Sequence, residues 1–146
     1  MAILKNFKQD SQAIENGEWV PVGGDFDDLE ILTKGMTDQY FDLQAAKLNK
    51  AARSVGGDVN RLPGKVRRQI TVDCIRASLF MDVRNLWHDE EKLSPVTKDE
   101  FSALLADPDY MELVVAVMRA AGKVGQQRAE MVEEAVGNLK GSSGAG

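Results

Sequence analysis

One cysteine and one histidine, Cys74 and His88, are all that the 146 residues contain. A lone cysteine excludes an intrachain disulfide and any zinc site built on several thiolates. Aromatic residues make up only 6% of the chain and proline occurs four times. No window approaches the ~20 apolar residues of a membrane span. The opening MAILKNFKQD lacks the long apolar run and small-residue cleavage site of a secretory signal. The glycine pairs Gly23-Gly24 and Gly56-Gly57 are not followed by the lysine and hydroxyl residue of a phosphate loop. No G-x-S-x-G elbow and no EF-hand spacing is present. The members of a Ser-His-Asp triad can stand far apart in sequence, so composition alone leaves that arrangement open. The balance predicts a protein that is not an enzyme, with no cofactor and no metal.

What is present suits one domain with a working core: 43% hydrophobic residues, 28% charged residues and a net charge of −5. That charge disfavours a broad attraction to nucleic acid or anionic lipid. Residues 1–17 end in the turn signal Asn16-Gly17 and are expected to be mobile or loosely docked. A β-hairpin is expected over 18–36. Its strands are EWVPV (18–22) and LEILTK (29–34), joined by GGDFDD. Pro21 cannot donate to a ladder and belongs at an edge. Two strands are marginal alone, so the hairpin must lean on a helix.

Thr37 is a plausible N-cap for a helix over 38–54 that turns Tyr40, Phe41, Gln44, Leu48, Ala51, Ala52 and Val55 inward. Gly56-Gly57 ends it, and GGDVNRLPG is a loop. A second helix is expected from Lys65 to Trp87 with two apolar faces. Val72, Ile75, Leu79, Val83 and Leu86 lie on one face, and Ile70, Cys74, Ala77 and Met81 lie almost opposite. Such a helix is either wrapped by its own chain or shares one face with a partner. On this helix Cys74 reads as a buried, inert thiol.

After the loop HDEEKLSP, Thr97-Lys98-Asp99-Glu100 forms a T-x-x-E capping box before a short helix with Phe101, Leu104 and Leu105 inward. Asp107-Pro108 restarts the chain, with aspartate as cap and proline at the first helical position. A long helix is expected over 108–139, about 45 Å at 1.5 Å per residue, with Tyr110, Leu113, Val114, Val117, Met118 and Ala121 beginning its apolar stripe. Gly122 and Gly125 predict a kink or a close contact in its middle. The tail GSSGAG (141–146) has no packing capacity and reads as flexible. The fold class expected is mainly α, a single domain over 18–140 of about four helices with an N-terminal β-hairpin.

His88 is followed by Asp89, Glu90 and Glu91, but neighbours in sequence do not converge on one ion without a shaped loop, so these read as exposed charges at a helix end. Arg61, Lys65, Arg67 and Arg68 place four cations within eight residues, enough to touch phosphates. No aromatic platform for stacking bases accompanies them, and a solvated helix start is the simpler reading. Met36, Met81, Met111, Met118 and Met131 are adaptable side chains that serve equally as core or as a tolerant binding surface.

The segment Thr71-Val72, Ile75-Arg76, Phe80 and Leu86-Trp87-His88 resembles the central helix of tail assembly chaperones from lambda-like and HK97-like long-tailed bacteriophages. The following run EEKLSPVTKDEFSALLADPD resembles the stretch after the tryptophan in many such chaperones: a loop, a capped helix, then Leu-Leu before an aspartate. The resemblance covers roughly residues 14–139. It implies a non-enzymatic protein of the host cytoplasm, absent from the mature virion, that binds the tape measure protein and recruits tail tube subunits. It also implies the shorter, non-frameshifted form of a protein often made in two lengths. Self-association into homo-oligomers is expected with it, and neither membrane nor nucleic acid as a partner. Met81, Met131, Val132, Val136 and Leu139 are the candidate protein-binding residues. A head-tail connector-type structural adaptor and, less favoured, a nucleic-acid-binding regulator are the alternatives.

Overall fold

The computed structural model describes residues 2–126. The chain is mainly α with a small antiparallel sheet, the class expected from the sequence. Its helices are α1 (Ser11–Asn16), α2 (Asp38–Ala52), α3 (Gly64–Ser78), α4 (Lys98–Leu104) and α5 (Met111–Lys123). Its strands are β1 (Glu18–Pro21), β2 (Glu30–Thr33) and β3 (Phe80–Arg84), in the order β1-β2-β3. Residues 127–146 are outside the described range. So are the distal part of the expected long helix and the candidates Met131, Val132, Val136 and Leu139.

The hairpin forms where the sequence places it, with Val20 opposite Ile31 and Pro21 on the edge strand. Its loop needs left-handed backbone at Gly23, Gly24 and Asp27 (φ 77°, 59° and 52°), which is why two glycines and an aspartate stand there. Val20, Val22, Leu29 and Ile31 are buried, and α5 packs against β1 and β2. On the opposite face Trp19 and Leu32 are half-buried. The Arg84 guanidinium sits 4.2 Å from the Trp19 ring and pairs with Glu30.

The second helix does not reach Trp87. It ends at Ser78, and residues 80–84 form β3 on the free side of β2, with Ile31 opposite Val83. Two local features favour the break. The Ser78 hydroxyl bonds back to the Cys74 carbonyl at 2.6 Å, and the Leu79 carbonyl accepts from the buried Thr33 hydroxyl and the Lys34 N–H, both at 3.0 Å. A third strand also supplies what a lone hairpin lacks. The large side chains on both faces of α3 are covered, Ile70 and Cys74 on one and Val72 and Ile75 on the other, and only the small Ala77 of the first face is exposed. The helix therefore offers no free apolar face, and burial raises the pKa of the Cys74 thiol.

The expected continuous helix over 108–139 is also broken. Pro108–Tyr110 is a 3-10 turn, α5 ends at Lys123, Val124 is extended and Gly125 has φ 80°. A Cβ on Gly125 would stand 2.9 Å from Ile14 and 3.0 Å from the Asp10 carbonyl. The glycine thus marks both a chain break and a close contact. That contact docks residues 10–17. Asp10 caps α1, its N–H bonds the Gly125 carbonyl at 3.0 Å, and Ile14 packs over Gly35.

Thr37 precedes α2 as expected, but its hydroxyl caps nothing and is buried without a partner. Phe41, expected inside, is 51% exposed, while Tyr40 beside it is buried. Met81 lies on β3 rather than on a helix. It is half-buried, with its thioether over Gly17.

Candidate functional site

β3 ends where Asn85 takes a left-handed turn (φ 62°). The next residues form a lip on which Trp87 bridges Pro95, the Val96 N–H bonds the Leu86 carbonyl at 2.8 Å and the His88 N–H bonds Ser94 at 2.9 Å. The tip of this loop is tied by Asp89, whose carboxylate accepts the Leu93 N–H at 3.0 Å.

The capping box then starts α4 as the sequence predicts. The Glu100 N–H donates to the Thr97 hydroxyl at 3.2 Å, and the Glu100 carboxylate faces the Thr97 backbone and hydroxyl. Phe101 points inward, its ring stacked on Phe80 with centroids 4.8 Å apart, and Leu105 is buried beside it. That anchoring leaves Glu100, Ala103 and Leu104 on the outer side of α4. Asp107 caps the next turn through the Asp109 N–H at 2.9 Å, and Tyr110 and Leu113 close the far wall.

Between lip, α4 and the start of α5 lies a cleft of about 570 Å³. Leu86, Trp87, Val96, Leu104, Tyr110 and Leu113 make it largely apolar, and His88, Glu100 and Asp107 stand among them. Met111 and Val115 are exposed one turn apart on α5, on the side of the helix turned away from Leu113 and the core.

His88 Nε2 lies 2.6 Å from Glu100 Oε2. The hydrogen bond from His88 is the main reason the Glu100 carboxyl titrates below its usual range, and the Thr97 contacts add to it. Reading the loop charges as merely solvated therefore missed a partner twelve residues away, although both side chains are exposed. A histidine held by a carboxylate can serve a nucleophile, but the lining supplies no serine, threonine, cysteine or lysine. Among the described residues no group of three His, Cys, Asp or Glu side chains is placed to hold a metal ion. The cleft is suited to seating apolar side chains, with carboxylates to meet a cation beside them.

Of the candidate binding residues, Met81 does not line this cleft. Leu104 and Leu113, expected inward, do pack against the core and line the cleft as well, while Tyr110, expected on the same stripe as Leu113, is 47% exposed. The available signal was the Trp-His pair followed by a capping box, which marks an aromatic beside a chain reversal.

The α2–α3 end carries a second notable feature. Lys47, Lys50, Arg53, Arg61, Lys65, Arg67 and Arg68 occupy residues 43–72 with Asp58 as the sole carboxylate. Among the described residues none of the seven is in a salt bridge.

Among known proteins, no family model, no curated protein and no solved structure matches the chain. Among the described residues no helix is long and apolar enough to cross a membrane.

Proposed function

We propose that this protein is a tail assembly chaperone of a long-tailed bacteriophage. It holds apolar segments of the tape measure protein, recruits tail tube subunits in the host cytoplasm and is left out of the mature virion. It carries out no catalysis. The observation that supports this most is local. Residues that carry the resemblance, Leu86, Trp87 and His88 from the first segment and Leu104 and Asp107 from the second, line one apolar cleft. The two-faced helix no longer contributes, since α3 is sealed inside the chain.

A client helix presents side chains at i, i+3 and i+4, and an apolar trough receives such a row. Acidic groups at the edge suit a client with flanking lysines or arginines.

Co-expression with the tape measure protein of the same phage tests the reading. The expected result is a soluble complex that co-purifies, weakened at least tenfold by Trp87→Ala or Leu104→Ala in chains that still fold. A tape measure protein that stays insoluble, with no complex recovered, would sink it.

The seven cations of the α2–α3 end favour a second reading, a nucleic-acid-binding regulator. It requires retardation of duplex DNA at low salt that falls steeply as salt rises. No shift at low salt removes it.

A further inference from the structure

The cleft has a second apolar surface to answer it, on the same chain. Before α1, residues Leu4–Phe7 form a single 3-10 turn with no buried residue. Leu4 is 88% and Phe7 70% exposed, Ile3 is exposed beside them, and none of the three packs against the core. Three large apolar side chains within five residues are held in water, with Lys5 and Lys8 as the only charges of residues 2–9.

We infer that this arm, residues 3–8, docks in the Trp87–Tyr110 cleft of a second copy of the chain. The fit is both apolar and electrostatic. A cavity of about 150 Å³ accommodates a benzene ring, so about 570 Å³ accommodates the Phe7 ring together with an aliphatic neighbour. Glu100 and Asp107 line the cleft, and Asp89, Glu90, Glu91, Asp99 and Asp109 lie close by in sequence. Over residues 85–118 eight carboxylates stand against Lys92 and Lys98. The arm brings Lys5 and Lys8 to that surface.

The tether excludes the arm's own cleft for Phe7. Asp10 is bonded to Gly125, beyond the C-terminal end of α5, and the cleft lies at the N-terminal end, by Tyr110. Thirteen helical residues separate them by about 20 Å, whereas the three residues from Asp10 back to Phe7 span about 10 Å at full extension. In the structure Ile3, Leu4 and Phe7 stay exposed and do not enter their own cleft, so the occupant we assign is another molecule.

The inference rests on the cleft and the arm, not on the identity of any client. It makes the arm a competitor for the client's seat, so assembled copies release their clefts as a client arrives.

Sedimentation analysis of the full chain across concentration tests it with two variants. Phe7→Asp removes the arm's ring. Ala103→Arg, at an exposed position of α4 inside the cleft, fills it and repels Lys5 and Lys8 without disturbing buried residues. Each variant alone should self-associate at least tenfold more weakly than the parent. An equimolar mixture should associate again, because Phe7→Asp still carries an open cleft and Ala103→Arg an intact arm. A parent chain that stays monomeric at high concentration, variants that associate as the parent does, or a mixture that stays monomeric would each overturn the inference. A monomeric parent that still captured the tape measure protein would leave the client reading intact. An arm-exchanged assembly that ignored that client would do the reverse.

Discussion

Helix α3 carries six apolar residues in fifteen and hides most of them, whereas α5 carries nine in thirteen and leaves Met111 and Val115 exposed. In α3, Ile70, Val72, Cys74 and Ile75 point to two sides and all are buried, because α2 covers one side and the sheet with its neighbours covers the other. In α5, Ala116, Val117, Ala120 and Ala121 meet the core, while Val115 and Met111, the latter in reach of the Arg68 guanidinium, stay exposed. The number of apolar faces on a helix does not tell whether it binds a partner. What counts is where the rest of the chain supplies neighbours: α3 packs against both α2 and β3, whereas α5 packs mainly on the hairpin.

Truncations sharpen this contrast most. Ile75→Ala should cost about 2–5 kcal/mol in chemical denaturation, since the side chain is fully buried and its removal leaves a cavity. A loss near zero would mean that α3 is not the sealed helix described. Next in size, Gly125→Ala should cost about 1–3 kcal/mol, because the left-handed backbone and the contacts with Ile14 and Asp10 leave no room for a methyl group. The same variant should loosen residues 10–17, read as faster amide exchange there.

On the outer face of α5, Val115→Ser should change stability by no more than about 0.5 kcal/mol, the side chain being 51% exposed. A large drop in melting temperature would show that this face is covered and would erase the difference between the two helices.

The smallest effect concerns protons. The Glu100 carboxyl is held below its ordinary value of 4.5 chiefly by His88. Its contribution to stability is thus fully present above that ordinary value and is lost as pH falls through the lower, folded-state value. His88→Gln should move the Glu100 titration, followed by carbon NMR of the carboxyl, upward toward 4.5. An unmoved titration would show that His88 is not its partner in solution.

Signals carried within a few residues were legible. Thr97-x-x-Glu100, Asp107-Pro108 and the GGDFDD loop each specify local hydrogen bonds or a permitted φ, and each stands where it was expected. The stretch 79–84 was not legible in the same way. Leu79, Phe80 and Val83 satisfy helical spacing nearly as well as strand pairing, and a window of sequence holds no record of the open edge of β2. Phe41 and Tyr110 were misplaced for a related reason: a stripe names a side of a helix but not how far its neighbour extends along it. The cleft combines residues from three separate segments, and only its Trp-His corner stood out beforehand.

By itself the sequence determined the mainly α class, the hairpin, the starts of α2, α3 and α4 to within a residue and the absence of cysteine pairing, because these depend on composition, backbone preference and hydrogen bonds to near neighbours. The tertiary structure alone decided that residues 80–84 become the third strand, that the large side chains on both faces of α3 are covered, and that an apolar cleft stays open beside Trp87. Each of those depends on which distant surface arrives to satisfy a backbone edge or exclude water, and that competition is settled by the whole chain at once.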